Sequence, residues 1–589
     1  MGQIQDRAAL NRRLSAAGPW LAPAGAGAAS LGVLLWSLPK GFDLTDEGYY
    51  LTEIAHPGDT TSTALLFGWP WHPVYTATGG SVIGLRVVAF VLVAALAVAL
   101  THAALGLLPA RSRPGRTTLT CLCVVSGALA FLPLSSLPST PSYNTLAWLS
   151  IAAAGLGCAL AWSRRRPILG GTVVGLAGFG AATAKPTTAL ALAVVVVATT
   201  PWSHQGLRPV VATAVTLVLS FTALVAFAPG HLDGLVTVVA HGVDATIGHG
   251  DLVRRDPYSF STQLLLMLTV AGAGGAAAGL LTRRHAVWAT LTGGVAVGAA
   301  IVSLSWWVQV GLMDDIDEAL PVASLTGFGV LGVSSVVSLG LKGRSNKPDF
   351  LTLRLAALLA VLPAAYAFGT NNNIWQWSGQ AVVFWFVAIV LLTGTTSPFA
   401  AAAGGLAAYT ALVAAVITPL DPYRTGLPVQ AEASRVSLAG AVLRLPHDEA
   451  RATAEMLAVG ERLGVTRETE VLDLTGASPG VVWAWGARPL ASAWLIGGYP
   501  GSLAAARVAI GPKSCDLTRA LVLWAPGQPR AIPAQVLTPW HVNVPKDYRV
   551  VASFPRVTVP ATRTQPTATV ESVMVLEPVS VKPQGCPGS

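Results

Sequence analysis

The amino-acid sequence predicts a mostly α-helical fold: a polytopic membrane domain of about thirteen spans, followed by a small extracytoplasmic α/β domain. Only 11% of the 589 residues are charged, whereas soluble globular proteins carry about 25%. Apolar runs close to the roughly 20 residues of a membrane-spanning helix recur up to position 418. Residues 421–589, by contrast, hold 29 of the 65 charged residues. We therefore expect a membrane domain at 1–420 and a C-terminal domain at 421–589.

This composition excludes two classes of protein. Hydrophobic residues make up 53% of the chain, so a soluble enzyme or a disordered scaffold of this composition would not stay in solution. The high content of Ala, Gly and Val is typical of a GC-rich bacterial genome.

The first element is an apolar run close to the N-terminus, and twelve more follow it. A cleaved signal peptide is an alternative for the first run, but no clear small-x-small cleavage site follows it, so we expect an uncleaved helix. The predicted spans are 18–38, 81–108, 118–136, 144–162, 168–184, 186–201, 210–228, 262–281, 287–311, 321–341, 351–369, 379–395 and 399–418.

The charges between the spans predict the orientation. With a cytoplasmic N-terminus, 15 of the 21 basic residues before position 420 fall in cytoplasmic segments, and 13 of the 15 acidic residues fall outside. Basic residues near span ends stay in the cytoplasm, and an odd number of spans then places the C-terminal domain outside. We expect a multi-pass plasma-membrane protein. This placement explains the net charge of +9, and we predict no nucleic-acid partner.

The C-terminal domain has alternating helical and strand patterns. Apolar residues at helical spacing predict an amphipathic helix at 448–463, and a second helix begins after Gly501 with Ser502 as its cap. The last stretch, 555–589, is rich in Pro, Thr and Val and predicts irregular structure or an edge strand. The predicted strands are Glu470–Leu474, Ala520–Trp524 and Arg549–Phe554.

Cysteine and tryptophan residues give two further hypotheses for this domain. An external location permits a disulfide between Cys515 and Cys586, its only two cysteines. Four tryptophans are candidates for stacking on sugar rings, with a core or membrane-interface position as the alternative: Trp483, Trp485, Trp494 and Trp540.

The first external loop, 39–80, contains the strongest catalytic candidates. It begins GFDLTDEGYYL, so that Asp46, Glu47, Tyr49 and Tyr50 directly follow the first span. Carboxylates beside a membrane helix are costly unless they face a cavity, and one of them is suited to act as a general base on an acceptor hydroxyl. The alternative is a solvated loop start. The aromatic, Pro-rich segment 66–75, which contains His72, is typical of the membrane interface.

Lysine and arginine residues in other external segments are candidates for binding an anion. Lys185 stands alone between two apolar runs, where its charge must reach water or meet an anion such as a lipid phosphate. Arg254 and Arg255 either grip the same phosphate or contact lipid headgroups. Tyr143 and Asn144 lie in another external segment, PSTPSYNTL.

The sequence gives only weak signals for a metal. The spacing of His231, His241 and His249 matches no helical zinc-ligand pattern. The cluster MDDIDE at 313–318 offers oxygen ligands for a divalent cation, or is a negative patch that follows the topology. No other cofactor is predicted.

The Asp-Glu pair in the first external loop, together with the lysine of GFGAATAKPTTAL, resembles the GT-C superfamily of lipid-linked glycosyltransferases. The likeness is greatest to the branch of aminoarabinose transferases and protein O-mannosyltransferases, which also fits the thirteen spans and the external C-terminal domain. Tyr49 departs from that branch, which often has an Arg three positions after the catalytic Asp, so Arg254 or Arg255 would take its place.

The resemblance implies an inverting transferase. A polyprenyl-phosphate sugar would be the donor and a lipid, polysaccharide or protein the acceptor. Asp46 would be the catalytic carboxylate with Glu47 as its companion, and Lys185 would lie near the lipid phosphate. The predicted substrate-binding residues are Tyr49, Tyr50, His72, Tyr143, Asn144, Lys185, Arg254 and Arg255. The alternatives are an inactive, glycan-binding protein of this type and a transporter or flippase for a lipid-linked sugar.

Overall fold

The computed structural model is mostly helical and describes the greater part of the chain. The described residues are 2–60, 65–163, 166–202, 206–227, 298, 316–341, 348–369, 374–418, 433–498, 501–559 and 569–586. The helices before the C-terminal domain are α1 (Gly2–Ser37), α2 (Asp46–Ala55), α3 (Gly68–Ala77), α4 (Val82–Gly106), α5 (Arg116–Leu129), α6 (Tyr143–Trp162), α7 (Pro167–Ala184), α8 (Pro186–Thr199), α9 (Leu207–Phe227), α10 (Ile316–Leu341), α11 (Phe350–Ala367), α12 (Ile374–Gly379), α13 (Val383–Thr393) and α14 (Pro398–Ile417).

The apolar helices support the prediction of an integral membrane protein. Within the described residues, nine helices are long and apolar enough to cross a membrane, and each coincides with a predicted span. Two more predicted spans coincide with the shorter apolar helices α8 and α13. The remaining two, 262–281 and 287–311, lie outside the described residues apart from residue 298, so the count of thirteen stays a prediction.

Small residues allow neighbouring helices of this domain to pack backbone to backbone. A Cβ added to Gly157 of α6 would lie 2.8 Å from the carbonyl oxygen of Gly170 in α7. Without water to drive burial, membrane helices associate through such close packing. The two helices therefore form a tight pair. Tyr143 is the first residue of α6, and Lys185 directly follows α7, so this pair carries two residues of the candidate site.

Lys185 separates α7 from α8 because the residue after it is proline. Its backbone is extended, with φ −149° and ψ 106°, which is the conformation favoured before proline. The amide of Lys185 still donates to the carbonyl of Ala181 at 2.8 Å. The apolar run from 167 to 199 thus breaks at its one charged residue.

The first loop, 39–80, contains two helices, α2 and α3, which the sequence analysis did not predict. The sequence did not predict α3 as a helix, because Pro73 and the aromatic residues of α3 are typical of a segment at the membrane interface. The amide of Leu66, just before α3, donates to the carbonyl of Thr183 at 2.8 Å. This contact ties the loop to the end of α7, next to Lys185.

The C-terminal domain combines a hairpin, a mixed five-stranded sheet and three helices. Its elements are β1 (Ser434–Leu438), β2 (Ala441–Leu445), α15 (His447–Arg462), β3 (Glu470–Asp473), α16 (Pro479–Ala484), β4 (Arg488–Pro489), α17 (Ser502–Ile510), β5 (Leu521–Trp524), β6 (Tyr548–Val559) and β7 (Thr569–Pro578). The sheet order is β4-β3-β5-β7-β6. β3 runs parallel to β4 and β5, whereas β7 is antiparallel to β5 and β6.

Most of the predictions for this domain are confirmed, and two are wrong. The predicted helix at 448–463 and the three predicted strands are present. Strand β7, in the stretch predicted to be irregular or an edge, instead lies inside the sheet, because Val573 and Val575 alternate into the core. Ser502 is the first residue of α17 and not its cap; Gly501 precedes it with φ +85°. Cys515 and Cys586 form a disulfide.

The first loop and the C-terminal domain share one hydrophobic core. Residues of α2 and α3, such as Leu51, Ile54 and Trp71, pack in the same cluster as Val481 and Trp483 of α16. The last described membrane helix ends at Ile417 and β1 begins at Ser434, so the predicted boundary at 420 lies in residues outside the description. The shared core holds α2 in a fixed position against the second domain.

Candidate functional site

Asp43 accepts hydrogen bonds from the start of the helix that carries the candidate carboxylates. Its carboxylate accepts from the amides of Thr45 at 3.1 Å and Glu47 at 3.2 Å, which would otherwise lack partners at the start of α2. Burial, together with the charge of Glu47, raises the pKa of Asp43. Asp46 and Glu47 then lie in the first turn, where negative charge is stabilised by the helix dipole.

Glu47 is buried in an ion pair with Arg86 of α4. The carboxylate lies 2.6 Å from Nη2 of Arg86 and also accepts a short hydrogen bond from the hydroxyl of Thr140. Arg86, 1% exposed, donates in addition to the carbonyls of Leu38 and Gly41 at 2.5 and 3.0 Å. One guanidinium thus joins the end of α1, the start of α2, α4 and the segment before α6.

The aromatic residues of α2 meet the start of α6. The ring centroid of Tyr143 lies 5.8 Å from those of Tyr50 and Phe67. Tyr49 contacts Phe67 at 5.8 Å, and Asp46 is close enough to Tyr49 and Tyr143 for their charges to interact. The structure therefore brings the predicted residues Asp46, Tyr49, Tyr50 and Tyr143 together.

Lys185 lies in a cage of three aromatic rings. Its Nζ is 4.5 Å from the ring centroid of Trp377, 5.2 Å from Tyr143 and 5.6 Å from Tyr366. These distances are within the range of cation–π attraction. The side chain is 7% exposed, and across the described ranges it makes no ion pair with a carboxylate. Tyr143 therefore contacts the buried ammonium and lies within electrostatic range of Asp46.

An apolar pocket adjoins this cage. It is partly open to the surface, and its lining includes Phe90, Phe131, Trp148 and Tyr366. Asn144, also in the lining, has a buried Oδ1 without a hydrogen-bond partner in the described part of the chain. The pocket thus joins an apolar interior to a few polar groups near Lys185, as ligand sites commonly do.

Three other groups of predicted residues lie elsewhere. His72, on α3, contacts the carbonyl of Ile54 through Nδ1 at 2.8 Å, near the far end of α2 from Asp46. Arg254 and Arg255, the three loop histidines, and Asp314 and Asp315 of MDDIDE lie outside the described residues. Among the residues that the structure describes, no group of three potential metal ligands occurs.

Trp494, one of the four tryptophans proposed for stacking on sugars, packs beside Tyr49 of α2. Trp483 and Trp485 are core residues whose indole N–H groups donate to Tyr75 and Met456. Trp540 packs against a separate hydrophobic cluster of the domain, which contains Ile510 and Leu537. Trp494 is half-buried, and its ring centroid lies 5.5 Å from that of Tyr49.

The sequence analysis missed Arg86, Tyr366 and Trp377 as members of the site. Arg86 had a signal, because an arginine inside an apolar run is costly unless a partner is present. Trp377 lies between the predicted spans 351–369 and 379–395, and Tyr366 resembles any core aromatic residue of a span. No protein-family model, curated protein or solved structure matches this chain.

Proposed function

We propose that the protein is an inverting glycosyltransferase that uses a polyprenyl-phosphate sugar at the extracytoplasmic face of the membrane. Its product would be a modified cell-envelope glycan, glycolipid or glycoprotein. The observation that supports this proposal most is Lys185, a buried ammonium beside Tyr143 that has no carboxylate partner among the described residues.

The ammonium is suited to bind a phosphate. A buried charge without a partner is costly, and three rings compensate only part of the lost hydration. A lipid phosphate that entered beside Trp377 would supply the missing negative charge through charge-assisted hydrogen bonds. The same contact would stabilise the charge that develops on the leaving phosphate.

The apolar pocket is suited to the lipid part of the same donor. Its wall of Ala89, Phe90, Val93 and Phe131 offers hydrocarbon contacts, and Tyr366 belongs both to this wall and to the cage of Lys185. An isoprenoid chain in the pocket would leave its phosphate end near the ammonium. This arrangement favours an amphipathic donor over a soluble nucleotide sugar.

Asp46 is the proposed general base. In the reaction, the acceptor hydroxyl oxygen attacks the anomeric carbon while the bond from that carbon to the phosphate oxygen breaks. The hydroxyl proton passes to the Asp46 carboxylate, and the bonding electrons leave with the polyprenyl phosphate, next to Lys185. Glu47 and Arg86 hold the start of α2, so that Asp46 keeps its position relative to Tyr143.

The shared core supports the proposed topology. The first loop and the C-terminal domain pack together, which supports a location on the same side of the membrane. The first loop follows one span, and an odd total number of spans returns the chain to that side. The distribution of charge, in turn, favours the outer side.

Kinetics in proteoliposomes with labelled polyprenyl-phosphate sugars test the proposal. We expect Asp46→Asn to lower kcat about 10²–10⁴-fold, the usual contribution of a general base, and Asp448→Asn, a change at a surface carboxylate 48% exposed, to leave kcat unchanged. Full activity in Asp46→Asn would exclude Asp46 from the chemistry. A wild-type protein that binds glycans but transfers no sugar would favour the inactive alternative.

A further inference from the structure

Glu53 is a buried carboxyl group that the proposed reaction does not use. It lies on α2 seven residues after Asp46, on the same helix face and about 10 Å farther along the axis. The side chain is 1% exposed. Neither carboxyl oxygen has a hydrogen-bond partner of normal geometry within the described residues.

This lack of partners is energetically unfavourable. A buried polar group without a hydrogen bond costs about 1–3 kcal/mol, and more when it is charged. Burial raises the pKa of Glu53 to about 8, and the hydroxyl of nearby Thr60 lowers it only in part. A ligand that brought hydroxyl groups to the two oxygens would remove this cost.

Two aromatic side chains lie beside the carboxyl. Tyr49 is one helical turn before Glu53, and the charge of Glu53 contributes to the raised pKa of Tyr49. The ring of Trp494 lies 5.5 Å from that of Tyr49, and its indole donates to the carbonyl of Gly476 at 2.9 Å, which fixes its orientation. Both residues are half-buried, so each keeps part of its surface accessible to solvent.

A hydrogen bond connects the surroundings of Glu53 to the segment that carries Trp494. The amide of Ala493, the residue before Trp494, donates to the hydroxyl of Thr60 at 3.1 Å. Thr60 is the residue whose hydroxyl lies near Glu53. The carboxyl therefore lies between α2 and the 490–498 segment of the C-terminal domain, next to the two rings.

We propose that Glu53, Tyr49 and Trp494 form a binding subsite for a sugar ring of the acceptor. A sugar ring has an apolar C–H face, which packs on aromatic rings, and vicinal hydroxyls, which a carboxyl group binds through its two oxygens. The distance from Asp46 places this ring beyond the one whose hydroxyl reacts. The inference rests on the proposed function and specifies it: the acceptor is a saccharide.

Direct binding of methyl glycosides to the full-length protein in detergent tests this inference without any lipid donor. We would use saturation-transfer NMR with methyl α-glycosides of mannose, galactose and arabinofuranose, and with the 3-deoxy analogue of the mannoside, which lacks vicinal hydroxyls. We expect at least one parent glycoside to bind, and the 3-deoxy analogue to bind about tenfold more weakly than the mannoside.

Three variants test whether the glycoside binds at this subsite. Glu53→Gln and Trp494→Ala are each expected to weaken glycoside binding about tenfold, and Trp494→Phe, which keeps an aromatic ring, to weaken it less than Trp494→Ala. Trp540→Ala is the matched control, because Trp540 lies in the same domain but packs against a separate cluster around Ile510 and Leu537; it should bind like the wild type.

Equal binding by all variants, or no binding of any glycoside, would overturn the subsite. Transfer to a peptide acceptor without glycoside binding would also overturn it, while leaving the transferase proposal intact. Glycoside binding by a protein that transfers no sugar would support the subsite and contradict the proposed function.

Discussion

At the scale of single residues, Arg86 links more chain segments than any predicted site residue. It pairs with Glu47 and donates to carbonyls at the end of α1. Removing one partner of a buried ion pair leaves the other charge uncompensated, which costs about 3–5 kcal/mol. Glu47 is therefore better understood as the anchor of α2, next to the proposed base Asp46.

We predict that Arg86→Met lowers the free energy of unfolding in detergent by about 3–5 kcal/mol. The double variant with Glu47→Gln should recover part of this loss, because no buried carboxylate then remains unpaired. Arg549→Met, in an ion pair whose side chains are 69% and 46% exposed, is the control and should have little effect. Chemical unfolding measures all three, and a stable Arg86→Met protein would contradict the anchoring role.

Glu53 predicts a dependence of stability on pH. Its pKa in the folded protein, about 8, lies above its ordinary value of 4.5, so the folded state holds a proton that the unfolded state releases. Stability is therefore complete below about pH 4.5 and falls as the pH rises to about 8, by at most about 1.4 kcal/mol per pH unit from this group.

Comparison with Glu53→Gln isolates that contribution from the other titrating groups. The variant should be more stable than the wild type at pH 8, and the difference should shrink towards pH 5. Thermal unfolding at a series of pH values measures it. If the difference in stability between the two proteins were the same at every pH, Glu53 would not be the group that keeps its proton in the folded state.

At the scale of elements, α2 and α16 meet through two glycines. A Cβ on Gly48 would lie 2.3 Å from the amide nitrogen of Gly480, and that amide donates to the carbonyl of Leu44 at 2.9 Å. No side chain fits between these backbones. The position of the proposed base thus depends on a contact with the C-terminal domain.

We expect Gly48→Ala to push α2 away from α16 and to destabilise the protein by about 1–3 kcal/mol. Sugar transfer should fall as well, because Asp46 would move with its helix. Gly58→Ala is the matched control, since a Cβ there meets nothing within 4 Å. Unfolding and transfer assays on both variants test this, and identical behaviour of the two would refute it.

The elements also show what the sequence could predict. Apolar runs predicted the nine long helices of the described residues, because a spanning helix must bury its own backbone polar groups in hydrocarbon. Strand β7 was missed because its alternating valines follow a Pro- and Thr-rich stretch. The cage of Lys185 could not be predicted at all: Tyr366 and Trp377 are about 180 or more positions away in sequence, and only packing brings them together.

At the scale of the whole molecule, the shared core joins the first loop to the C-terminal domain. Two of the three groups of the proposed acceptor subsite come from α2 and one from the C-terminal domain. The second domain therefore has a role in the proposed site, beyond that of an appended module.

The shared core makes a prediction about topology. Cysteines introduced at Thr76 in α3 and at Arg451 in α15, both exposed, should be labelled in intact cells by a membrane-impermeant maleimide. Both positions should react from the outside. Labelling from opposite sides of the membrane would contradict the shared core, and labelling of both only after lysis would contradict the proposed orientation.

The central claim is that Lys185 binds the phosphate of a lipid donor, and binding of citronellyl phosphate tests it most directly. This short isoprenoid phosphate should bind the full-length protein at least about tenfold more tightly than citronellol, which lacks the phosphate. Lys185→Met should abolish that difference, whereas Lys546→Met, at an exposed lysine, should preserve it. Equal affinities for the phosphate and the alcohol, or an unchanged preference in Lys185→Met, would contradict the account.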